Sequence, residues 1–148
     1  KVKQKVIAMK YYVDTNYAVR FLIKTPKDQY NKVLEFLKML QESDDCGVIT
    51  QITVFEICWV LKSVYQSQKY DIIVSIKSLA GIPNIVIENK DLIINTLHIF
   101  TLHNIDLEDC YHIAWSTFHK IDNITTFDKK LLKTWTKYKL HAKPLDTT

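Results

Sequence analysis

The chain of 148 residues is 47% hydrophobic and 24% charged, and its 20 basic against 16 acidic residues give a formal net charge of +4. This size and composition predict one globular domain, residues 1–148, and three cysteines without a C-x-x-C pair argue against a disulfide framework or a thiolate zinc site. No apolar run reaches the roughly 18–20 residues of a membrane span and no signal peptide is evident, so a soluble cytoplasmic protein without membrane association is expected.

The first half of the chain predicts helices joined by short strands. Met9 is a possible natural start, which would make residues 1–8 an extension, and a first strand then ends at Val13. A second strand is expected over 46–50, and helices are expected over 15–24, 26–42, 51–66 and 69–80, the last ended by Gly81. The apolar stripes of the second and third of these helices are predicted to be Val33, Phe36, Leu37 and Leu40, and Ile52, Phe55, Trp59 and Val60.

The second half continues the alternation of strands and helices. Strands are expected over 84–88 and 123–127 and near 139–144, and helices over 89–103, 106–120 and 128–135. Strands separated by helices favour a parallel sheet, because each parallel pair needs a crossover connection and a helix usually supplies it. The predicted fold is α/β, a three-layer α/β/α sandwich with a four- to five-stranded parallel sheet.

Two aspartates directly follow predicted strands. Ligands of such sheets bind at the carboxyl ends of the strands, and Asp14 and Asp128 both stand at such an end. Each also has an ordinary explanation, because an aspartate in this position commonly caps the helix that follows it. From the residues alone, both explanations stay open.

Two further acids interrupt apolar helices. Glu56 falls on the stripe predicted for its helix, where an unpaired carboxylate is costly unless it meets a cation or a metal ion. A salt bridge to a lysine is the alternative to a metal ion. The helix dipole explains Asp106 and Glu108 in a first turn, but it explains Asp109 less well. His112, in the apolar run YHIAW, is expected to be a core histidine.

Four segments around these acids resemble the PIN-domain family. They occur in the family's order and are YYVDTN (11–16), VFEICWVL (54–61), LEDCYHIA (107–114) and NITTFDKKL (123–131). In size and layout the chain is similar to the VapC-type toxins of toxin–antitoxin pairs. The resemblance implies a metal-dependent endoribonuclease that leaves a 5′-phosphate and a 3′-hydroxyl. Its acidic site matches Asp14, Glu56, Asp109 and Asp128, with Asn16 and Thr126 as accompanying polar residues.

The chemistry of clustered carboxylates accounts for such a site. Neighbouring carboxylates repel one another, and a bound divalent cation removes the repulsion. Mg²⁺ and Mn²⁺ prefer hard oxygen ligands, and a bound ion can activate water and neutralise charge on a leaving oxygen. Asp14 and Asp109 are expected to be the principal ligands, and the other two acids to act directly or through water. The two polar residues are expected to position water or fix the carboxylates.

Basic residues near the acids are expected to hold the RNA backbone, with Arg20, Lys129 and Lys130 as candidates. Six lysines lie in the last 20 residues, at 129, 130, 133, 137, 139 and 143. This crowding indicates either a solvated surface or a patch that contacts phosphates. The preference for RNA rests on the resemblance.

Surplus apolar side chains lie on helices 26–42 and 51–66, namely Leu34, Met39, Ile57, Leu61, Val64 and Tyr65. They are either buried between the two helices or part of an interface. The toxin resemblance implies a homodimer with a groove for a cognate antitoxin protein. Two alternatives stay open, a non-toxin PIN nuclease of RNA processing and a non-catalytic PIN-like binding module, although degenerate modules usually lose acids that are all present here.

Overall fold

The computed structural model describes residues 8–141 of the chain. This part contains three strands, β1 (Lys10–Tyr12), β2 (Cys46–Ile49) and β3 (Ile85–Ile87). It also contains seven helices, α1 (Thr15–Ile23), α2 (Lys27–Gln41), α3 (Gln51–Ser63), α4 (Lys69–Ala80), α5 (Lys90–Leu102), α6 (Leu107–Phe118) and α7 (Lys129–His141). Every predicted helix is present, and no helix of the described chain has the length and apolar character to cross a membrane.

The three strands form a parallel sheet in the order β1-β2-β3. In the register of this sheet Tyr11 lies opposite Gly47, which lies opposite Ile85. The helix pairs α1–α2 and α3–α4 make the two crossovers that parallel strands require. A Cβ at Gly47 would come within 2.8 Å of Ile85 Cδ1 and 2.9 Å of Val13 Cγ2, so a larger residue in the central strand would force these side chains to shift.

The chain divides into two compact units, an N-terminal unit that ends at Lys90 and a C-terminal unit that begins at Asp91. In the N-terminal unit α1 packs against α2 and α3, and α3 packs against α4. In the C-terminal unit α6 packs against α7 around the buried residues Leu92, Ile99, Ile105, Cys110, Ile113, Ala114, Leu131 and Trp135. The single domain over 1–148 stays a prediction, and residues 1–7 of the possible extension lie outside the described residues.

The stripe predicted for α2 is confirmed, because Val33 and Leu40 are buried and Phe36 and Leu37 are half-buried. Leu34, on another side of the same helix, is exposed, and Met39 is half-buried.

The inward face predicted for α3 is wrong at two of its four residues, because Phe55 and Val60 are half-buried but Ile52 and Trp59 are exposed. Ile52 is 66% exposed and Trp59 is 62% exposed. The buried residues of this helix are Thr53, Val54, Ile57, Cys58 and Leu61. Because α3 is apolar on nearly every side, its periodicity does not select one face, and packing against α1 and α4 decides which residues are buried.

The difference between the predicted and the observed buried face of α3 changes two expectations. Glu56 is exposed, on the same side of the helix as Ile52 and Trp59, and not on a core-facing stripe. Ile57 and Leu61 belong to the core and are not available to an interface. Val64 and Tyr65, which follow the helix, are exposed as an interface would require.

The fourth strand predicted over 123–127 is absent from the described chain, so its sheet has three strands and not four or five. Isoleucine and threonine favour a strand only where another backbone is available to pair with. Here the segment is irregular, and Phe127 is fully exposed. The two residues that precede this segment, Ile121 and Asp122, accept hydrogen bonds at their carbonyls from Lys139 Nζ.

The last helix is longer than the predicted range 128–135, because α7 continues to His141. It therefore occupies the first positions of the strand expected near 139–144, which is wrong for residues 139–141. The remaining positions of that strand, and Lys143, lie outside the described residues.

Candidate functional site

Asp14 stands where β1 ends and α1 begins. Its backbone is extended, with φ −74° and ψ 157°, and its carbonyl accepts hydrogen bonds from the amides of Tyr17 and Ala18 at 3.1 Å and 3.2 Å. The side chain is exposed, and within the described chain its carboxylate makes no capping hydrogen bond. The backbone of Asp14 thus starts the helix, while the carboxylate stays available to a cation.

Glu56 is connected to α1 through Thr15, the neighbour of Asp14. Thr15 is buried, and its hydroxyl donates a hydrogen bond to Glu56 Oε2. The packing of α1 against α3 brings these two residues together. Among residues 8–141 Glu56 forms no ion pair with a lysine, so the alternative of a salt bridge is not realised there. The hydrogen bond orients the carboxylate and leaves its second oxygen open.

A second acid at the carboxyl edge of the sheet is Glu88, which directly follows β3 and which was not among the predicted site residues. Its Oε2 accepts a hydrogen bond from the amide of Gln51 at 2.9 Å. Thr50 accepts one from the amide of Thr53 at 3.4 Å, so both side chains serve the first turn of α3. The carboxylate of Glu88 thus makes a structural hydrogen bond, whereas the carboxylate of Asp14 makes no capping hydrogen bond within the described residues.

Asn16 and Arg20 lie one turn apart on α1. They line a shallow cavity of about 120 Å³ together with Tyr17, Gln29, Lys32 and Val33. Arg20 Nε donates to Gln29 Oε1 at 2.5 Å and Nη1 donates to the Tyr65 hydroxyl at 3.3 Å, which holds the guanidinium in place. Lys32 adds a second cation to this cavity and was not among the predicted site residues.

In the C-terminal unit Asp109 is half-buried in the first turn of α6. Burial raises the pKa of its carboxyl above the ordinary value, and the nearby charge of Asp128 raises it further. Asp106 and Glu108 act in the same direction, whereas His112 lowers the pKa. A carboxyl among like charges favours either a proton or a cation, which is the electrostatic character of a divalent-metal ligand.

Asp128 caps α7. Its Oδ1 accepts hydrogen bonds from the amides of Lys130 and Leu131, both at 2.9 Å. Its own amide donates to Thr126 Oγ1 at 3.0 Å. The capping explanation therefore applies to Asp128, and one carboxylate oxygen remains for another partner. Thr126 holds the backbone of the cap in place.

His112 is exposed, so the prediction of a core histidine is wrong. It follows Asp109 by three residues, which puts both on one side of α6, and its influence lowers the pKa of that carboxyl. The spacing of three was the available signal, but the apolar residues around His112 obscured it. Lys129 and Lys130 are exposed in the first turn of α7, beside the cap.

No group of three or more histidine, cysteine, aspartate or glutamate side chains is arranged to hold a metal ion in the described part of the chain. Two of the four predicted acids belong to each unit, Asp14 and Glu56 to the first, Asp109 and Asp128 to the second. Carboxylate oxygens are the ligands that Mg²⁺ and Mn²⁺ prefer, and the pKa of Asp109 is raised by burial first and by the charge of Asp128 second. In donor chemistry these residues fit a hard divalent cation.

The family model of the PIN domain matches residues 11–135. The match begins in β1, ends in α7, and includes all four acids and both units. No curated protein matches the chain.

Proposed function

The chain belongs to the PIN domain family, whose members are generally nucleases, and from this we propose that it is a metal-dependent endoribonuclease. The observation that carries the proposal is the match of the PIN-domain family to residues 11–135, which include all four acids, and the raised pKa of Asp109 supports it. An aspartate that only complemented the helix dipole would have its charged form stabilised, and its pKa would be lowered. Burial and then the neighbouring charge of Asp128 instead raise the pKa of Asp109, and a divalent cation would stabilise the charged carboxylates.

The ligands of Mg²⁺ or Mn²⁺ are drawn from Asp14, Glu56, Asp109 and Asp128. Asp14 and Asp109 are the principal ligands, because neither carboxylate makes a hydrogen bond in the described chain. Glu56 and Asp128 each use one oxygen within the protein and offer the other. The bound ion would lower the pKa of a water and neutralise charge on the leaving oxygen.

The remaining polar and basic residues have supporting roles. Thr15 orients the Glu56 carboxylate, and Thr126 holds the backbone of Asp128. Asn16, exposed on α1, is available to position a water. The RNA backbone is held by cations, with Arg20, Lys129 and Lys130 as first candidates and Lys32 added from the cavity on α1. The choice of RNA over DNA as substrate is inferred from membership of the PIN domain family.

We further propose that the protein is the cytoplasmic toxin of a type II toxin–antitoxin pair. It would be active as a homodimer and inhibited by a small cognate antitoxin. Exposed apolar side chains support a partner surface on α3, where Ile52 and Trp59 lie largely in solvent. Leu34, Val64 and Tyr65 are exposed as well. An antitoxin that brings a basic side chain to Asp14 and Glu56 would compete with the metal for their charge.

The nuclease is tested by incubating the purified chain with single-stranded RNA and Mg²⁺ or Mn²⁺, with EDTA as the metal-free control. Asp14→Asn and Asp109→Asn are each expected to abolish cleavage, because each removes a ligand charge. Asp71→Asn is the matched control, since Asp71 is an exposed acid in the first turn of α4.

Cleavage that persists in EDTA, or in the Asp109→Asn protein, would contradict the assignment. If the folded wild-type chain binds RNA but fails to cleave it in the presence of either Mg²⁺ or Mn²⁺, the result would favour the non-catalytic binding module.

A further inference from the structure

One face of α7 carries positive charge only. At 100° per residue its exposed lysines fall within an arc of about 100°, and they extend about 12 Å along the helix axis. These four residues, called the lysine stripe below, are Lys129, Lys130, Lys133 and Lys137. The opposite side of the helix is buried and consists of Leu131, Thr134 and Trp135. Packing thus fixes the stripe toward solvent.

The lysine stripe has no structural use within residues 8–141, because none of its ammonium groups makes a hydrogen bond or an ion pair there. Lys139 differs, since it donates to the carbonyls of Ile121 and Asp122 and lies 5.1 Å from the centre of the Trp135 ring. Like charges spaced four residues apart destabilise a helix. The stripe therefore costs the isolated helix stability, and a polyanion would relieve that cost.

An exposed aromatic ring stands at the beginning of the stripe. Phe127 is two residues before α7, and its side chain is fully exposed. The backbone that follows it is held, because the Asp128 amide donates to Thr126 and the Asp128 carboxylate caps the helix. A core or capping role does not explain a phenylalanine in this position, whereas a surface for stacking does.

We propose that Phe127 and the lysine stripe form a binding track for single-stranded RNA. Phe127 stacks on one base, and the lysines hold the phosphates of the nucleotides that follow, which is the combination of contacts that single-strand binding proteins use. The proposal deepens the proposed ribonuclease function and depends on it for the choice of RNA. Lys137 lies beyond the matched residues 11–135, so the family match does not by itself account for the stripe.

The track predicts selectivity for single strands. In a duplex the bases are stacked on each other, and their faces are closed to Phe127. The lysines would still meet phosphates of a duplex, so charge alone gives no such preference. Single-strand preference that depends on Phe127 is therefore the signature of the track.

The test is fluorescence anisotropy of a labelled single-stranded RNA of about 12 nucleotides with the wild-type chain in EDTA. The double variant Lys133→Gln/Lys137→Gln is expected to lower the slope of log K against log salt by about 1.4, since each phosphate contact on a single strand contributes about 0.7. The control Lys27→Gln/Lys77→Gln removes two exposed lysines from α2 and α4 and should leave the slope unchanged.

The stacking contact is tested separately with Phe127. Phe127→Ala is expected to weaken binding about tenfold without changing the salt slope, and Phe127→Trp to retain it, because any large aromatic ring can stack on a base. Binding to the duplex of the same sequence should not respond to Phe127→Ala. Circular dichroism of all variants checks that α7 remains folded.

Unchanged affinity in either variant, or an equal effect of Phe127→Ala on duplex and single strand, would overturn the track. Because no metal is present, this result is separate from the nuclease assay. A chain that binds single strands through the track but cleaves nothing would overturn the proposed function alone. An active nuclease with unchanged binding in both variants would overturn the track alone.

Discussion

The carboxyl of Asp109 holds its proton more tightly than a free aspartate, because it is partly buried and faces the charge of Asp128. When a pKa is higher in the folded state, the folded state binds more protons, and stability falls as the pH rises. For this residue the loss begins near the unfolded value of about 3.9 and is complete above the raised pKa. At neutral pH the ionised Asp109 carboxylate therefore lowers the free energy of unfolding of the metal-free protein by its full amount.

Asp109→Asn removes that cost. At neutral pH we expect the metal-free variant to have a free energy of unfolding equal to or above that of the wild type, because the partly buried charge and its repulsion with Asp128 are both gone. Below the ordinary pKa of aspartate the difference should disappear, since the wild-type carboxyl is then neutral too. Urea denaturation at a series of pH values measures this. A variant that is clearly less stable at neutral pH would show that the Asp109 carboxylate stabilises the fold.

Thr15 acts on Glu56 through one hydrogen bond. Thr15→Val keeps the shape of this buried side chain and removes the donor, which should cost about 1 kcal/mol of unfolding free energy. If Thr15 positions a metal ligand, the variant should also need more Mn²⁺ for half-maximal cleavage. Thr15→Ser keeps the hydroxyl and should recover most of the metal dependence. Equal Mn²⁺ requirements for the valine and serine variants would limit Thr15 to a structural role.

At the scale of elements, Asp128 combines a helix cap with the charge that acts on Asp109. Two substitutions separate these roles. Asp128→Asn keeps an oxygen that can cap α7, and its stability should stay within a few tenths of a kcal/mol of the wild type, whereas Asp128→Ala should lose about 1 kcal/mol. Both remove the charge, and both should lower the pKa of Asp109.

Urea denaturation and the NMR titration of the Asp109 carboxyl carbon measure the two effects of changing Asp128. An unchanged pKa of Asp109 in the asparagine variant would contradict the electrostatic coupling. Equal stability of the asparagine and alanine variants would contradict the cap.

The faces of α3 show how an element and its sequence pattern can disagree. Its apolar residues surround the helix, so several inward faces satisfy the pattern about equally well. Contact with α1 and α4 selects the face that contains Ile57 and Leu61. That choice exposes Trp59 and brings Glu56 to the hydroxyl of Thr15.

For the whole molecule, the proposed toxin should form a homodimer and bind a neighbouring small protein. Light scattering of the purified chain should give twice its mass of 17.4 kDa, and co-expression with the adjacent small reading frame should give a heavier, inactive complex. Trp59→Lys places a charge on the exposed face of α3 and should yield a monomer. Tyr70→Lys, a control at a residue that is 74% exposed on α4, should remain a dimer.

The toxin assignment would be rejected if the wild-type chain is a monomer that does not bind the neighbouring protein, or if the complex still cleaves RNA. Either result would favour a solitary nuclease of RNA processing.

Local sequence signals determined most elements of this protein. The helix predicted over 69–80 has those bounds in the structure, and the strands before residues 14, 50 and 88 lie within about a residue of their predicted places. Such elements depend on capping residues and on apolar patterns only a few positions long. The acids that follow strands or begin helices were recognisable for the same reason.

The tertiary structure alone decided which contacts those elements make. Residues 123–127 have the composition of a strand, yet a strand exists only where another backbone pairs with it, and none does in the described chain. Thr15 and Glu56 meet across 41 positions of sequence. The pKa of Asp109 depends on Asp128, which another helix carries into range. These features arise from packing between distant segments, and a local pattern contains no information about which segments will meet.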